Sequence, residues 1–306
     1  MKKKLVSVLL AVYNGSEYIE KTVNSVLSQT YQNLELIIVD DCSSDATKEI
    51  IEQYKQKNII IVRNNENIGQ TKSLNKAFLE SCGEFIARID CGDWMEPERL
   101  NLQMEYLDRN PSVDILGTDC QIHNLDSHSI SRVSRPENHQ DIKTYSIFRT
   151  PVLHVSVLMR SSVFKSLGGY NESCYISADF DLWSRAINLG YKISNLQKIL
   201  THYIVYNGSF ASSNSETSRV EKTLIIQSNL KKYGISASLE KVDQIVAYLY
   251  GLSLDNLKAI ACYYQYAIKI YKIDRRCFYY LFIYQPLQPY LSFFKKYFIK
   301  FKLFII

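Results

Sequence analysis

The sequence lacks the glycine-rich loops that hold phosphate groups in many nucleotide-binding proteins. Neither Gly-x-x-x-x-Gly-Lys nor Gly-x-Gly-x-x-Gly follows the first apolar run. Because both motifs place backbone amides against phosphate oxygens, P-loop and dinucleotide-binding interpretations lose their main support.

The chain also lacks a cysteine framework. Its seven cysteines form no Cys-x-x-Cys pair and no regular spacing, which is typical of free thiols in a reducing compartment and predicts a cytoplasmic protein. The apolar run at residues 5–12 is short and continues into Tyr13-Asn14-Gly15-Ser16-Glu17 without a small-residue cleavage site. We therefore expect a first strand there rather than a signal peptide.

No uninterrupted apolar run reaches the ~20 residues that span a bilayer. Residues 270–306 instead mix basic and aromatic side chains, with Asp274 as their single acid. This mixture suits a segment in a membrane interface, and the charge bias favours that interpretation over a terminal helical hairpin with solvated lysines. We predict a peripheral protein that binds the inner face of the cell membrane through residues 270–306, and we expect no nucleic-acid partner.

Short apolar runs rich in β-branched residues predict buried strands in the first part of the chain. The runs are Leu5–Val12, Leu34–Val39, Ile59–Val62 and Phe85–Ile89. Helical patterns lie between them: one behind Ser16 as a candidate N-cap, one opened by Ser44 and Asp45, and one over Thr71–Glu80. Strand and helix in alternation predict an α/β fold with a mostly parallel sheet.

Acidic clusters follow two of these strands. Asp40 and Asp41 come after the second strand, and Asp90 and Asp93 come after the fourth. Because ligands bind beyond the carboxyl ends of strands in such sheets, these carboxylates are candidate site residues.

Several motifs, in order, resemble the family 2 inverting glycosyltransferases of the GT-A fold, of the bacterial surface-polysaccharide type. They are Val6–Gly15, Ser25–Tyr31, Glu35–Asp45, Asn67–Asn75, Ile89–Leu100, Gly168–Tyr170 and Ala178–Trp183. Ordered motifs are far more specific than one Asp-Asp pair. The resemblance covers about residues 4–210 and implies a GT-A-like sheet sandwiched by helices over residues 1–215. The donor half is 1–105, the acceptor half is 106–215, and residues 216–306 form a helical, basic and aromatic extension.

The resemblance places the donor nucleoside beyond the first two strands. Tyr13 offers a face for a base, and Asp41 or Asp40 accepts a base N–H. Ala11 belongs to the same substrate-binding region. Lys72 is a candidate for phosphate or base contact, with a solvated helix lysine as the alternative.

A divalent cation, Mn²⁺ or Mg²⁺, is the natural partner of a diphosphate where no glycine-rich loop exists. In the family this role belongs to an Asp-x-Asp motif with a third aspartate following. Here the stretch is Asp90-Cys91-Gly92-Asp93, so Gly92 replaces an expected aspartate. We predict a metal held by Asp90 and Asp93, with Asp90 also contacting substrate. The alternative for Asp93 is a helix cap before Pro97.

Inverting transfer requires a base for the acceptor hydroxyl. Asp179 matches the aspartate of the family's Glu-Asp motif, whose glutamate is Ala178 here, and the alternative is a helix cap. Asp181 is a further substrate-binding candidate. His154 stands where many relatives carry a histidine near the acceptor, and a structural histidine is equally plausible.

The processive Gln-x-x-Arg-Trp motif is absent, which predicts transfer of one sugar per encounter. We thus expect a glycosyltransferase that moves a sugar from a nucleotide-sugar donor to a hydroxyl of a glycan or lipid-linked acceptor, in capsule or O-antigen synthesis. Two alternatives stay open: a non-catalytic relative that binds nucleotide or glycan, and a nucleotidyltransferase on a similar sheet.

Overall fold

The computed structural model describes residues 3–55, 58–205, 215–250, 263 and 265–270. The strands are β1 (Val6–Val12), β2 (Leu34–Asp40), β3 (Ile59–Arg63), β4 (Phe85–Arg88), β5 (Trp94–Met95), β6 (Ile115–Asn124), β7 (Ser129–Val133), β8 (Leu158–Arg160) and β9 (Ile193–Val205). The helices are α1 (Ile19–Leu27), α2 (Thr47–Glu52), α3 (Gln70–Leu79), α4 (Arg99–Arg109), α5 (His139–Tyr145), α6 (Ser161–Ser166), α7 (Ala178–Asn188), α8 (Ser215–Lys232) and α9 (Leu239–Leu249), with a 3₁₀ turn at His154–Ser156.

One sheet contains all of these strands, in the order β3-β2-β1-β4-β8-β6-β9-β5, with β7 paired to β6. The pairings among β3, β2, β1 and β4 are parallel, and so is the long pairing of β6 with β9. The other pairings are antiparallel, and β8 joins the two halves by pairing with both β4 and β6. The predicted mostly parallel α/β sheet is confirmed.

Alternate residues of each strand feed two cores on opposite faces of the sheet. Val8 and Leu10 pack with α1, α2 and α4 on one face. Leu9 and Ala11 pack with α3, α6 and α7 on the other. Because β1 is buried on both faces, it reads as a continuous apolar run, as a strand inside a sandwich of helices requires.

The predicted strands agree with the structure to within one residue, but two helix starts do not. The helix predicted to open at Ser44 and Asp45 begins at Thr47, after an N-cap residue, Ala46, that makes no side-chain cap hydrogen bond. Ser16 was predicted to cap α1, yet α1 begins at Ile19 and makes no side-chain cap hydrogen bond. The backbone forms a turn before α1, in which the N–H groups of Tyr18 and Ile19 both donate to the Gly15 carbonyl. The Ser16 N–H instead donates to Asp45, which fixes this turn against the start of α2.

A third core joins α8 and α9 to α7 and to the residues that follow α5. Ile147, Phe148 and Phe180 pack with buried residues of both helices, among them Ile226 and Val242. The Asn229 amide, also on α8, donates to the carbonyl of Ser146. Both helices thus pack beside α7 through their buried residues.

Candidate active site

Asp41 fastens the end of β2 to the loop that begins α3. Its Oδ1 accepts hydrogen bonds from Asn64 Nδ2 at 2.8 Å and from the Ile68 N–H at 2.9 Å, and its Oδ2 accepts from the Gly69 N–H at 2.8 Å. Carboxylates with several N–H donors are strongly fixed. Tyr13, at the end of β1, keeps half of its surface exposed. This edge therefore combines a rigid buried carboxylate with an accessible aromatic ring.

The other residues predicted to bind the donor are Asp40, Ala11 and Lys72. Asp40 is buried, accepts from the Ser43 N–H and lies 3.5 Å from Arg63 Nε. Ala11 points into the core. The Lys72 side chain is exposed on α3. The sequence reasoning missed Lys76, one turn further along α3, whose Nζ donates to Asn64 Oδ1 at 2.8 Å.

Arg88, at the end of β4, is a buried cation in the middle of the site. Its Nη2 lies 2.5 Å from Asp90 Oδ1, and Asp90 also accepts from the Gln70 side-chain amide at 2.7 Å. Asp90 keeps part of its surface exposed, whereas Arg88 has almost none. The neighbouring carboxylate holds the pKa of Arg88 above its usual value despite burial, so a permanent positive charge lies beneath the acidic cluster.

Asp93 is buried within the same cluster. Its Oδ1 accepts from the Ile204 N–H at 3.0 Å, while its Oδ2 has no hydrogen-bond partner among the described residues. Burial, followed by the Asp90 charge, raises the pKa of Asp93 well above its usual value. The helix-cap alternative is wrong, because α4 begins at Arg99 and has no side-chain cap.

Asp90 and Asp93 offer a limited donor set for a divalent cation. Among the residues that the structure describes, no group of three or more His, Cys, Asp and Glu side chains is arranged to hold a metal. Mg²⁺ is nevertheless bound in many sites by one or two carboxylates plus substrate phosphates. The orphaned Asp93 oxygen and the partly exposed Asp90 fit that smaller set.

Asp179 lies in the first turn of α7, where the helix dipole favours a carboxylate. Its Oδ1 accepts from the Phe180 N–H at 2.7 Å. Burial raises the pKa of Asp179 from 3.8 to about 6, against the opposing effects of that hydrogen bond and of the charges of Lys222, Arg88 and Arg135. A carboxylate with such a pKa is ionised at neutral pH and still basic enough to accept a proton.

Glu221, which the sequence reasoning missed, supports this helix start from α8. Its carboxylate accepts the backbone N–H groups of Tyr175 at 2.5 Å, Ile176 at 3.0 Å and Ser177 at 2.6 Å. These residues lead directly into α7 and Asp179. The carboxylate on α8 therefore holds the segment that leads into α7.

The two remaining acceptor-side candidates are tied to neighbours. Asp181 accepts from Arg185 Nε at 2.7 Å on the same helix. His154 Nε2 lies 2.7 Å from the Tyr170 hydroxyl, and its ring packs edge-on against Trp183. Burial and then the Arg88 charge hold the pKa of His154 well below its usual value, so the ring is neutral.

A cavity of about 220 Å³ opens beside Asp179. It lies between the loop before α7 and the C-terminal helices, and its other lining residues are Arg135, Tyr145, Arg149, Thr150, Ile176, Ser177, Lys222 and Tyr250. The carboxylate therefore faces a space that another molecule can enter.

The predicted membrane-binding segment lies, apart from residue 270, outside the described residues. Across the parts of the chain that are described, none of the helices combines the length and the apolar character needed to cross a bilayer.

Comparison with known proteins decides the family. The model of glycosyl transferase family 2 matches residues 7–167, more than half of the chain. The chain belongs to glycosyl transferase family 2. The match begins in β1 and ends in the last turns before Gly168, so it contains the acidic cluster at Asp90 but stops short of Asp179.

Individual proteins resemble this family 2 glycosyltransferase over most of its length. An uncharacterized glycosyltransferase of Methanocaldococcus jannaschii is 33% identical over 214 residues, which are 68% of this chain and 73% of that protein. WfaP of Escherichia coli, a UDP-Glc:alpha-D-GlcNAc-diphosphoundecaprenol beta-1,3-glucosyltransferase, is 29% identical over 245 residues, 76% of this chain and 88% of its own. The crystal structure of Staphylococcus aureus TarS with UDP-GlcNAc superposes with a TM-score of 0.63 at 20% identity, over 89% of this chain and 82% of TarS. This likeness assigns the GT-A fold to the family 2 glycosyltransferase.

One of the residues missed from the sequence carried a readable signal. Arg88 is a charged residue within the otherwise apolar run Phe85–Ile89, and buried charges require partners. The approach of Glu221 to residues 175–177 had no such signal, because it joins segments more than forty residues apart in this glycosyltransferase.

Proposed function

We propose that this glycosyltransferase inverts the anomeric centre of its donor sugar and transfers one sugar per encounter, from a nucleotide-sugar donor to a hydroxyl of a glycan or lipid-linked acceptor. The observation that carries the proposal is Asp179, a carboxylate of raised pKa that faces a cavity beside the helix start. A base with a pKa near 6 is matched to proton removal near neutral pH.

In the proposed step, Asp179 accepts the proton of the acceptor hydroxyl while that oxygen attacks the anomeric carbon. The new carbon–oxygen bond forms as the bond from the anomeric carbon to the phosphate oxygen breaks on the opposite face. The nucleoside diphosphate leaves with the bonding electron pair. The Phe180 N–H, on Asp179 Oδ1, orients the carboxylate, and Glu221 fixes the loop that precedes it.

The donor is proposed to lie beyond β1 and β2. Tyr13 supplies an exposed face for base stacking, and Asp41 supplies a fixed acceptor for a base N–H. Arg88 places a buried positive charge close to Asp90, where it favours the negative charge that develops on the leaving diphosphate.

We also propose that Asp90 and Asp93 hold Mn²⁺ or Mg²⁺ when the donor is bound. Such an ion neutralises phosphate charge. Arg88, which lies against Asp90, supplies positive charge at the same place from the protein itself.

The cellular setting is a proposal of its own. WfaP acts on a lipid diphosphate acceptor by its name, and residues 270–306 are basic and aromatic. Both support a role in capsule or O-antigen synthesis at the inner face of the cell membrane. Flotation of the full chain with liposomes tests this: dependence on anionic lipid supports it, and equal flotation with neutral vesicles contradicts it.

The decisive experiment incubates the purified chain with UDP-, GDP- and dTDP-sugars and candidate acceptors, with Mn²⁺ or with a chelator. Release of a nucleoside diphosphate and formation of a product of inverted configuration, read by NMR, are expected from one donor. Nucleotide binding without turnover identifies the non-catalytic alternative, and release of pyrophosphate from a nucleoside triphosphate identifies the nucleotidyltransferase. If a chelator leaves turnover unchanged, the proposed metal site is wrong and the transferase proposal stands.

A further inference from the structure

The cavity beside Asp179 is lined by an unusual concentration of positive charge. Arg135, Arg149 and Lys222 all border it, and among the described residues of its lining Asp179 is the acidic one. The three cations outnumber Asp179 and the adjacent Glu221, whose carboxylate accepts the backbone N–H groups of the lining residues Ile176 and Ser177. An excess of positive charge therefore remains in a space that is partly shielded from water. Charges in such a space interact more strongly than they do at an open surface.

Hydrogen bonds to backbone and side-chain oxygens fix these cations in place. Arg135 Nε donates to the Thr150 carbonyl at 3.0 Å, and Arg149 Nη2 donates to the Leu249 carbonyl at 2.8 Å. Lys222 Nζ donates to Ser218 Oγ at 2.7 Å. Arg135 Nη1 also donates to the Ser134 carbonyl at 3.0 Å.

Tyr250, directly after the last residue of α9, lies close to two of these cations. Lys222 Nζ lies 4.1 Å from the centre of the Tyr250 ring, and the Arg149 guanidinium lies 5.7 Å from it. Burial lowers the pKa of Lys222, while the charges of Asp179 and Glu221 act to raise it. Two cations that share one aromatic ring are held close together despite their repulsion.

Ser177 provides an independent sign of a missing ligand. Its side chain is 2% exposed and lines the same cavity, yet its Oγ has no hydrogen-bond partner among the described residues. A buried hydroxyl without a partner costs stability, so a polar group of a bound molecule is its natural partner.

We propose that this cavity is an acceptor subsite for a phosphorylated sugar, whose phosphate is bound by Arg135, Arg149 and Lys222 and whose hydroxyl reaches Asp179. A phosphate dianion complements this positively charged lining, and arginine forks bind phosphate oxygens in pairs. The proposal rests on the proposed function, because it gives the acceptor of that reaction a chemical class. A free sugar phosphate and a lipid-linked sugar diphosphate share this chemistry.

The volume of the cavity agrees with a small acceptor. At about 220 Å³ it is smaller than the roughly 300–1,000 Å³ of pockets for drug-sized ligands. Tyr145 and Tyr250 supply aromatic surface against which a sugar ring packs. One phosphorylated sugar fits this description better than an extended neutral glycan does.

Binding of inorganic phosphate to the full chain, measured by calorimetry at fixed ionic strength, is the first test. Arg149→Gln and Lys222→Gln are each expected to weaken binding about tenfold or more, because each removes a charge-assisted hydrogen bond to the phosphate. Lys231→Gln is the matched control, because Lys231 is exposed on the same helix. Arg149→Lys keeps the charge without the fork and should lie between wild type and Arg149→Gln. Unchanged binding in both glutamine variants, or an equal loss in the control, overturns the proposal.

A second arm compares a hexose 1-phosphate with the corresponding methyl hexoside and with a short-chain prenyl diphosphate hexose. Tighter binding of both phosphorylated compounds than of the methyl hexoside, lost in Lys222→Gln, supports the subsite. The tighter of those two identifies a soluble or a lipid-linked source. Equal binding of all three overturns the proposal.

Nucleoside diphosphate binding is measured on the same samples, so the two proposals fail separately. If the chain binds no nucleotide but binds phosphate through Arg149 and Lys222, the proposed transferase function is wrong and the cavity is only an anion-binding site. If the chain turns over a nucleotide sugar and both variants bind phosphate as tightly as wild type, the transferase proposal stands and the subsite proposal is wrong.

Discussion

Asp179 owes its raised pKa to burial, and the same burial is a cost to the folded state. In the folded chain the pKa of Asp179 is about 6, whereas an aspartate that is not buried has a pKa of 3.8. The fold therefore favours the neutral carboxyl, and stability falls as pH rises from about 4 through 6. At neutral pH the protein retains a charged base in a place where a neutral group would be more stable. We interpret this cost as the price of a reactive site.

Asp179→Asn is expected to reduce transfer at saturating acceptor about a hundredfold or more, because general base catalysis contributes about 10²–10⁴-fold. The same change should stabilise the fold at pH 7 by about 1–2 kcal/mol, a value reduced for the partial exposure of the side chain. Turnover and urea unfolding measure the two effects. Asp108→Asn, at an exposed carboxylate paired with Lys4, is the control for both. Near-normal transfer by Asp179→Asn would remove it as the base.

The pH dependence of transfer should report this group. The base must be ionised, so the rate is expected to be constant above about pH 7 and to fall tenfold per pH unit well below the pKa of about 6. Steady-state turnover from pH 5 to 8, with circular dichroism to confirm folding at each pH, gives the profile. A rate that is flat down to pH 5 would show that a different group accepts the proton.

At the scale of elements, the sequence predicts what is set locally and misses what depends on distant contacts. The runs of β-branched residues located β1 to β4, because buried strands need such residues wherever they occur. Ser16 was a wrong cap because the Gly15 carbonyl and Asp45 determine that turn. The motif led to the prediction of Asp179 as the base, and the structure places that carboxylate beside a cavity. The part played by Glu221 depends on α8 folding back on the loop before α7, which no local pattern encodes.

Glu221→Gln is expected to destabilise that loop by about 1–3 kcal/mol, because a carboxamide oxygen replaces only part of a carboxylate that accepts three N–H groups. The turnover number should fall about tenfold as the start of α7 shifts, with a smaller change in donor affinity. Glu216→Gln, at an exposed position in the first turn of α8, should change neither quantity. Steady-state kinetics and thermal unfolding on the three proteins make the comparison. If turnover is unaltered in Glu221→Gln, Glu221 only accepts hydrogen bonds from the loop and does not position the start of α7 for catalysis.

Gly92 stands where the resemblance to the family predicts an aspartate. Its φ of +104° lies in a region that residues with side chains rarely adopt. Restoring an aspartate by Gly92→Asp is therefore expected to lower stability by about 1–3 kcal/mol and to leave turnover no higher than in wild type. Gly92→Ala carries the same backbone strain without a carboxylate and serves as the control. Tighter Mn²⁺ binding and faster transfer in Gly92→Asp alone would contradict this prediction.

At the scale of the whole molecule, the C-terminal helices complete the surroundings of Asp179. Lys222 and Tyr250 line the cavity beside Asp179, and Glu221 holds the loop before it. The third core carries the packing that keeps α8 and α9 there. The described part of the chain after residue 215 is therefore expected to unfold together with the sheet.

Ile226→Ala tests this coupling, because Ile226 is fully buried in α8 against that core. Loss of its side chain leaves a cavity and should cost about 2–5 kcal/mol. If α8 belongs to the same cooperative unit as the sheet, chemical denaturation gives one transition, shifted to lower denaturant for every probe, including the fluorescence of Trp183 in the second core. Leu224→Ala, two residues away and 52% exposed, should change stability by no more than about 0.5 kcal/mol. Two separate transitions, with Trp183 unaffected by Ile226→Ala, would mean that the C-terminal helices fold on their own and only rest against the acceptor half.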